Sequence, residues 1–410
     1  MRFLPSVLCF IFINAASAST FHVGNQSFIK SIKEAVKLSS SNDSIIIHEG
    51  VYKENNIVVT HPIVITGKNS PIIDGENKYE LMVISSRNVT VTGLHFRNSG
   101  YSALNDFASI KIINSSNISI VENQIDNAYF AIHISNSSYC TIKCNTINGL
   151  RKDEQTTGNG IHLWKCNKAL VEGNTITNHR DGIYFEFVTE SIIQKNNSEN
   201  NVRYGLHFMF SHKDEYYHNL FLNNGAGVAV MYSKNVIMKH NDFKYNWGPS
   251  AYGLLLKDIT DSEIQSNTFT KNTVGIYMEG SNRLNINKNS FMENGWALKV
   301  QSNCDDNEFY NNNFYGNTFD VSTSGSLVLS EFYNNYWDKY EGFDLNKDGI
   351  GDVPYHPVSL YSMIIENNPG TLLLLKSFVI MLLDKTEKAL PTLTPESLRD
   401  DNPCIKPLVI

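Results

Sequence analysis

A chain of 410 residues that is 41% apolar, 11% aromatic and 18% charged has ample material for a core, and its aromatic content argues against disorder over most of its length. The net charge of −7, with both signs mixed throughout, supplies no basic footprint for nucleic acid. Six cysteines include Cys9 close to the start, so the remaining five cannot form a complete disulfide framework. A bridge among Cys140, Cys144 and Cys166 is open in an oxidising compartment, while the usual burial of cysteine favours free thiols.

In chain order, Arg2, the short apolar run over 3–13 and the ending Ala16-Ser17-Ala18 read as a cleavable secretory signal peptide over 1–18. The run is too short to span a bilayer. A short capping helix is expected over 27–38, with Phe28, Ile32 and Ala35 or Val36 on its buried face. β-branched runs at 44–52, 57–59, 63–67, 72–75 and 89–96, separated by Gly, Asn and Pro, read as strands.

Two columns then share one period. Asn174, Asn196, Asn219, Asn241, Asn267, Asn289 and Asn312 recur mostly every 22 or 23 residues, as do Ile161, Ile183, Leu206, Val228, Leu254, Ile276 and Leu298, with one common insertion near 250. Each repeat carries three short strands, which predicts an all-β fold, a parallel β-helix with turns of about 22 residues over 19–335. Sandwiches and propellers would need two-residue hairpin turns, which are missing. The Asn column reads as scaffold, because stacked amides hydrogen-bond along a ladder and Asn tolerates the left-handed backbone of sharp turns.

Over 336–365, a loop and the end of the solenoid are expected. Asp344, Asn346, Asp348 and Asp352, with Gly349 at the sixth position, match the start of a calcium loop, although Tyr355 stands where a bidentate Glu belongs. The tail, 366–410, holds an apolar stretch over 372–383 that predicts one amphipathic helix, too short to cross a membrane. It could cap the solenoid or dock on a membrane partner. Its removal is expected to leave the solenoid folded.

Strand alternation places candidate chemistry. With the Ile161 column inward, His133, His162, Tyr184, His207, Ala229, Leu255 and Tyr277 face outward, followed two positions on by Ser135, Trp164, Glu186, Met209, Met231, Lys257 and Glu279. Adjacent turns lie about 4.8 Å apart, so His207, Met209 and Met231 share a patch, with Glu186 and His162 nearby. Thioether and imidazole donors suit copper, Cu(I) above all. His179, His212 and His218 are further imidazoles that loops could bring in. The alternative is a polysaccharide lyase or epimerase, or a carbohydrate-binding β-helix. Glu186 and Glu279 sit four turns apart, roughly 19 Å, too far for a glycosidase pair, which leaves Arg180 and Arg203 beside Asp181 for such chemistry.

Segments 179–187 (HRDGIYFEF), 203–211 (RYGLHFMFS), 225–233 (GAGVAVMYS), 251–257 (AYGLLLK) and 275–280 (GIYMEG) resemble the NosD family of periplasmic nitrous oxide reductase maturation proteins. The loop ending at Tyr355 and the apolar tail are similar too. The resemblance implies a right-handed parallel β-helix in the periplasm. It further implies a non-catalytic factor that works with an ABC-type ATPase and permease, a copper chaperone and nitrous oxide reductase in assembling copper centres. It assigns no copper ligands.

Overall fold

The computed structural model describes residues 18–102, 105–151, 153–324, 329–389 and 398–410. The expected leader therefore lies, apart from Ala18, outside the described residues.

Every strand pairs in parallel with its counterpart one turn away, giving three long sheets of 14, 12 and 13 strands, each turn of the solenoid adding one strand to each. This is the parallel β-helix that the repeat predicts. The 12-stranded sheet is the one that matters below. Its central strands are β1 (Phe130–Ser135), β2 (Ile161–Trp164), β3 (Asp181–Glu186), β4 (Tyr204–Met209), β5 (Ala226–Met231), β6 (Tyr252–Lys257) and β7 (Val274–Glu279). The register holds the apolar column together: Ile161 opposes Ile183, which opposes Leu206, then Val228, Leu254 and Ile276. All are fully buried. Phe243, Phe269, Phe291, Phe314 and Trp337 stack face to face through the core, with centroids 4.0–4.9 Å apart.

The Asn column is a continuous hydrogen-bonded ladder. From Asn123 through Asn145, Asn174, Asn196, Asn219, Asn241, Asn267, Asn289 and Asn312 to Asn335, the backbone N and Nδ2 of each residue donate to Oδ1 of the next, at 2.9–3.1 Å. Each Nδ2 also reaches a backbone carbonyl, as Asn174 does to Ile142 O at 2.9 Å. Turns are where a strand's backbone donors would otherwise go unpaired, and a buried unpaired donor is costly. A second ladder, unread in the sequence, runs five residues on through Asn201, Asn224, Asn246, Asn272, Asn294 and Asn317. Beside it the backbones approach so closely that only glycine fits: a Cβ on Gly227 would lie 2.4 Å from Gly253 O.

Helix α1 spans Ile32–Leu38 and buries Ile32, Ala35 and Val36. It starts later than expected because Ser31 caps it and the Glu54 carboxylate accepts from Ile32 N and Lys33 N, satisfying first-turn donors there. Phe28 consequently lies outside the helix and fully exposed, at 102%.

The tail differs from expectation in three ways. A helix not read in the sequence, α2 (Leu360–Asn367), is capped by Ser359 and packs Tyr361 and Ile365 against Phe319. The apolar stretch after it divides into a 3-10 turn over Pro369–Leu374 and helix α3 (Phe378–Ala389), with Lys376 at a φ of 112° between them. Residues 398–410 then return to the solenoid. Asp400 Oδ2 accepts from Asn335 N, Asn335 Nδ2 and Trp337 Nε1, each at 3.0 Å, so it terminates the main ladder. Removing the whole tail would uncover that end of the ladder.

Cys140 and Cys166 are buried free thiols, pushed by burial up to about 12 and about 11, while Cys144 is exposed.

One interior position is frustrated. Asp214 is fully buried, its Oδ1 accepts from Ser191 N at 2.9 Å, and Oδ2 has no partner. Burial holds its pKa well above the usual carboxylate range. The unfolded chain, with a pKa near 3.9, therefore releases this proton first, and stability falls as pH rises from about 4. Asn307, in the same column, donates through Nδ2 to Ser281 O at 2.9 Å. Asp214→Asn is expected to stabilise the protein by about 1–3 kcal/mol at pH 7 and by progressively less toward pH 4, as measured by the difference in melting temperature between variant and wild type across that range.

Candidate functional site

The outward column of the 12-stranded sheet is less open than alternation alone implies. His133 and His207 are only 7% and 5% exposed, and Ala229 and Leu255 are also buried. The side chains do face away from the core, but they cover one another. His133, His162, Tyr184 and His207 meet edge-on in one row, with centroid separations of 4.9, 4.7 and 4.9 Å. Phe130 and Tyr204 flank the row, 5.5 Å from His133 and 4.8 Å from His207. Asp106 Oδ2 lies 3.9 Å from His133 Nε2, and Asn159 Nδ2 lies 3.4 Å from His162 Nδ1.

Burial decides the protonation of these rings. It lowers the pKa of His133 to about 4, against the weaker pull of Asp106, and that of His162 to about 3, with His133 adding to the effect. Both are neutral at pH 7 and keep a lone pair for a ligand. His207 has neither ring nitrogen hydrogen-bonded. Its Nδ1 is 3.7 Å from Asp181 Oδ2, beyond hydrogen-bond reach. Asp181 itself is held by Arg203, whose Nε and Nη2 donate at 2.9 and 2.5 Å. Burial works against ionisation of Asp181, but these bonds prevail and bring its pKa down to about 2. Arg203 also lies 3.5 Å from Glu154.

Met209 and Met231 end β4 and β5. They oppose each other in register, with Glu186 on the far side of Met209 and Lys257 on the far side of Met231. All four are partly exposed. Met209 Sδ accepts from Tyr184 Oη at 3.6 Å, which ties the thioether pair to the ring row. Just beyond, Phe187, Phe210 and Tyr232 stack nearly parallel at 5.2 and 4.9 Å and form an exposed aromatic stripe.

The structure thus brings His207, Met209, Met231 and Glu186 onto one face, and sets His162 apart, two strands from His207 with Tyr184 between. The other imidazoles do not join them. His179 is buried at the head of the second Asn ladder, where its N donates to Asn201 Oδ1. His212 accepts from Lys234 N, and His218 stacks on His240 at 4.9 Å, at corners belonging to the other sheets. The ordered rings owe their burial to packing against one another and against Phe130 and Tyr204. Among the described residues, no three His, Cys, Asp or Glu side chains gather as a metal cluster.

The loop over 344–352 is closed on itself. Asp344 accepts from Lys347 N, Asp348 N and Gly349 N, Asn346 Oδ1 from Asp348 N, Asp348 from Ile350 N, and Asp352 from Leu345 N. These are Asx turns, in which the side-chain oxygens expected to hold calcium serve as caps for the backbone. The geometry does not support calcium there.

Above the edge of the sheet, a cleft of about 660 Å³ is lined by Asp153, Glu154, Gln155 and Arg180. Glu186 and Glu279, on β3 and β7, are separated by three intervening strands and do not meet.

Residues 146–346 match the family described as "NosD: Periplasmic copper-binding protein (NosD)". A Pseudomonas aeruginosa protein named "Probable ABC transporter binding protein NosD" is 29% identical over 375 residues, covering 86% of each chain. These similarities support membership of the NosD family. A Stutzerimonas stutzeri protein of the same name is 25% identical over 374 residues, covering 86% of this chain and 85% of its own. Members of the NosD family are thus named as binding proteins and described as periplasmic. Solved structures share the fold. The A-module of an Azotobacter vinelandii mannuronan C-5 epimerase has a TM-score of 0.56 at 12% identity, over 71% of this chain and 91% of its own. A Yersinia enterocolitica family 28 exopolygalacturonase has 0.51 at 10%, over 75% of each. At such identities the likeness concerns the β-helix alone.

Copper, as a cargo, fits the residues present: two thioethers in register beside an imidazole whose nitrogens lack partners. The buried neutral histidines also set a pH dependence. The folded pKa values of His133, His162 and His179, about 4, 3 and 4, lie below the unfolded value near 6.5. The unfolded state therefore takes up protons first, and stability falls as pH drops from about 6.5 to about 4. Melting temperatures over pH 4–7 should show this fall, and His162→Phe should reduce its slope.

Proposed function

We propose that this chain is a periplasmic accessory protein, exported by a cleavable signal peptide, that handles copper for the assembly of the copper centres of nitrous oxide reductase. It works with an ABC-type ATPase and permease and receives copper from a chaperone. It is not itself a catalyst. The observation that carries this reading is the face where Met209 and Met231 stand in register beside His207, an imidazole with no hydrogen-bonded nitrogen, and Glu186. Soft thioether sulfur together with imidazole nitrogen suits Cu(I).

The test is an anaerobic Cu(I) titration against a competing chelator. The triple variant His207→Ala/Met209→Ala/Met231→Ala should lose at least about tenfold in affinity at this site, about 1.4 kcal/mol. Unchanged affinity would sink the assignment.

The partner surface in this reading is the tail. Leu373 and Phe378 are 93% and 74% exposed, and Val379, Met381 and Leu382 are more than half exposed. No helix among the described residues is long and apolar enough to cross a membrane. A patch of this kind on a water-facing protein marks a contact site, and the apolar surface of a permease is its proposed occupant. Because Asp400 caps the main ladder, substitution is a better probe than truncation. Leu373→Glu/Phe378→Glu/Met381→Glu should abolish co-purification with the permease complex while leaving the melting temperature of the isolated protein within a few degrees of wild type.

The cleft beside Arg180 favours a second reading, a polysaccharide lyase or epimerase. Turnover of alginate or pectin by the purified protein would establish it in place of the first.

A further inference from the structure

The copper reading above concerns the thioether face. A second feature of the same sheet remains without a role there. His133 and His162 oppose each other in register on β1 and β2, with centroids 4.9 Å apart and rings inclined at 60°. The His133 side chain is 9% exposed, and its Nδ1 is buried without a partner. Its Nε2 faces Asp106 Oδ2 at 3.9 Å, beyond hydrogen-bond reach, and no hydrogen bond occupies the Nδ1 lone pair of the neutral ring. His162 has only a long contact, 3.4 Å, from Nδ1 to Asn159.

A phenyl ring would fill the place of His133 without burying an unsatisfied nitrogen. Phe130, packed against both histidines at 5.5 and 5.4 Å, shows that the surroundings accept one. A buried polar group left unpaired calls for an account, and an ion is one of the ordinary ones. An imidazole nitrogen binds a metal at about 2.0–2.1 Å, so two rings whose centroids are 4.9 Å apart are close enough to share one ion in a bent arrangement. Imidazole suits copper, and Cu(I) accepts so small a donor set, whereas divalent ions want more ligands. Tyr184 stands between His162 and His207, so this pair and the Met209/Met231 face are separate places.

We infer that His133 and His162 form a second, enclosed Cu(I) site, held by two imidazoles and distinct from the thioether face. The inference rests on the copper reading for the identity of the ion, but not on the ligands proposed there.

The experiment is anaerobic Cu(I) titration of the full mature chain, with chelator competition for stoichiometry and X-ray absorption for the ligand type. Wild type should bind two equivalents with mixed nitrogen and sulfur scattering. His133→Phe/His162→Phe should bind one, with sulfur scattering retained. Met209→Leu/Met231→Leu should also bind one, with nitrogen scattering alone. Two equivalents still bound by the histidine double variant would overturn this inference and leave the thioether face standing. Two equivalents bound by the methionine variant, with no change in scattering, would instead overturn the thioether assignment. Should the double variant fail to fold, the single variant His162→Phe, checked by its melt, serves in its place. Retention of the second equivalent there refutes the site equally.

Discussion

The constraint on which the molecule depends is the supply of hydrogen-bond partners to backbone groups at the corners of each turn. Within a parallel sheet the strands satisfy one another, but three sharp bends per turn bring donors into a dry interior. The main Asn ladder answers this at one bend. Each Oδ1 accepts a backbone N–H and an amide N–H from the turn before, and each Nδ2 reaches a carbonyl as well. A ladder of this kind propagates a single spacing and must be ended. At the C-terminal end the carboxylate of Asp400 replaces the next amide, because a terminal acceptor needs no donor of its own to pass on.

That regular scaffold is what lets a small number of outward residues become a site. Register puts Glu186, Met209, Met231 and Lys257 in successive strands without any loop to position them. A site built on strands is held to the precision of the ladder itself. Where the column carries Ala229 and Leu255, the face is plain; where it carries His133, His162, Tyr184 and His207, polar rings are packed together and partly denied water. Burial lowers the pKa values of His133 and His162 and keeps those two imidazoles neutral.

The repeat made much of this legible. Period and alternation suffice to place Ile183 beside Leu206 and Met209 beside Met231, because in a solenoid the sequence spacing is the spatial neighbour relation. The second Asn ladder was equally present in the spacing, five residues after the first, and went unread. Helix α2 was harder: Leu360–Asn367 shows no strong pattern, and its anchor is Phe319 on the last turn, a contact distant in sequence. Asp344, Asn346, Asp348 and Asp352 show the converse. Their spacing fits a calcium loop, yet side-chain oxygens in such a loop serve equally well as acceptors for nearby N–H groups, and here they do.

By itself the sequence determined the β-helix, its period, its inward columns and the thioether pair on one face, since each follows from local repetition. Only the tertiary structure decided that the outward histidines are enclosed, that His162 stands apart from His207, and that the last residues close the ladder. Those facts depend on which side chains cover which, and on contacts between residues such as Asn335 and Asp400 that no period connects.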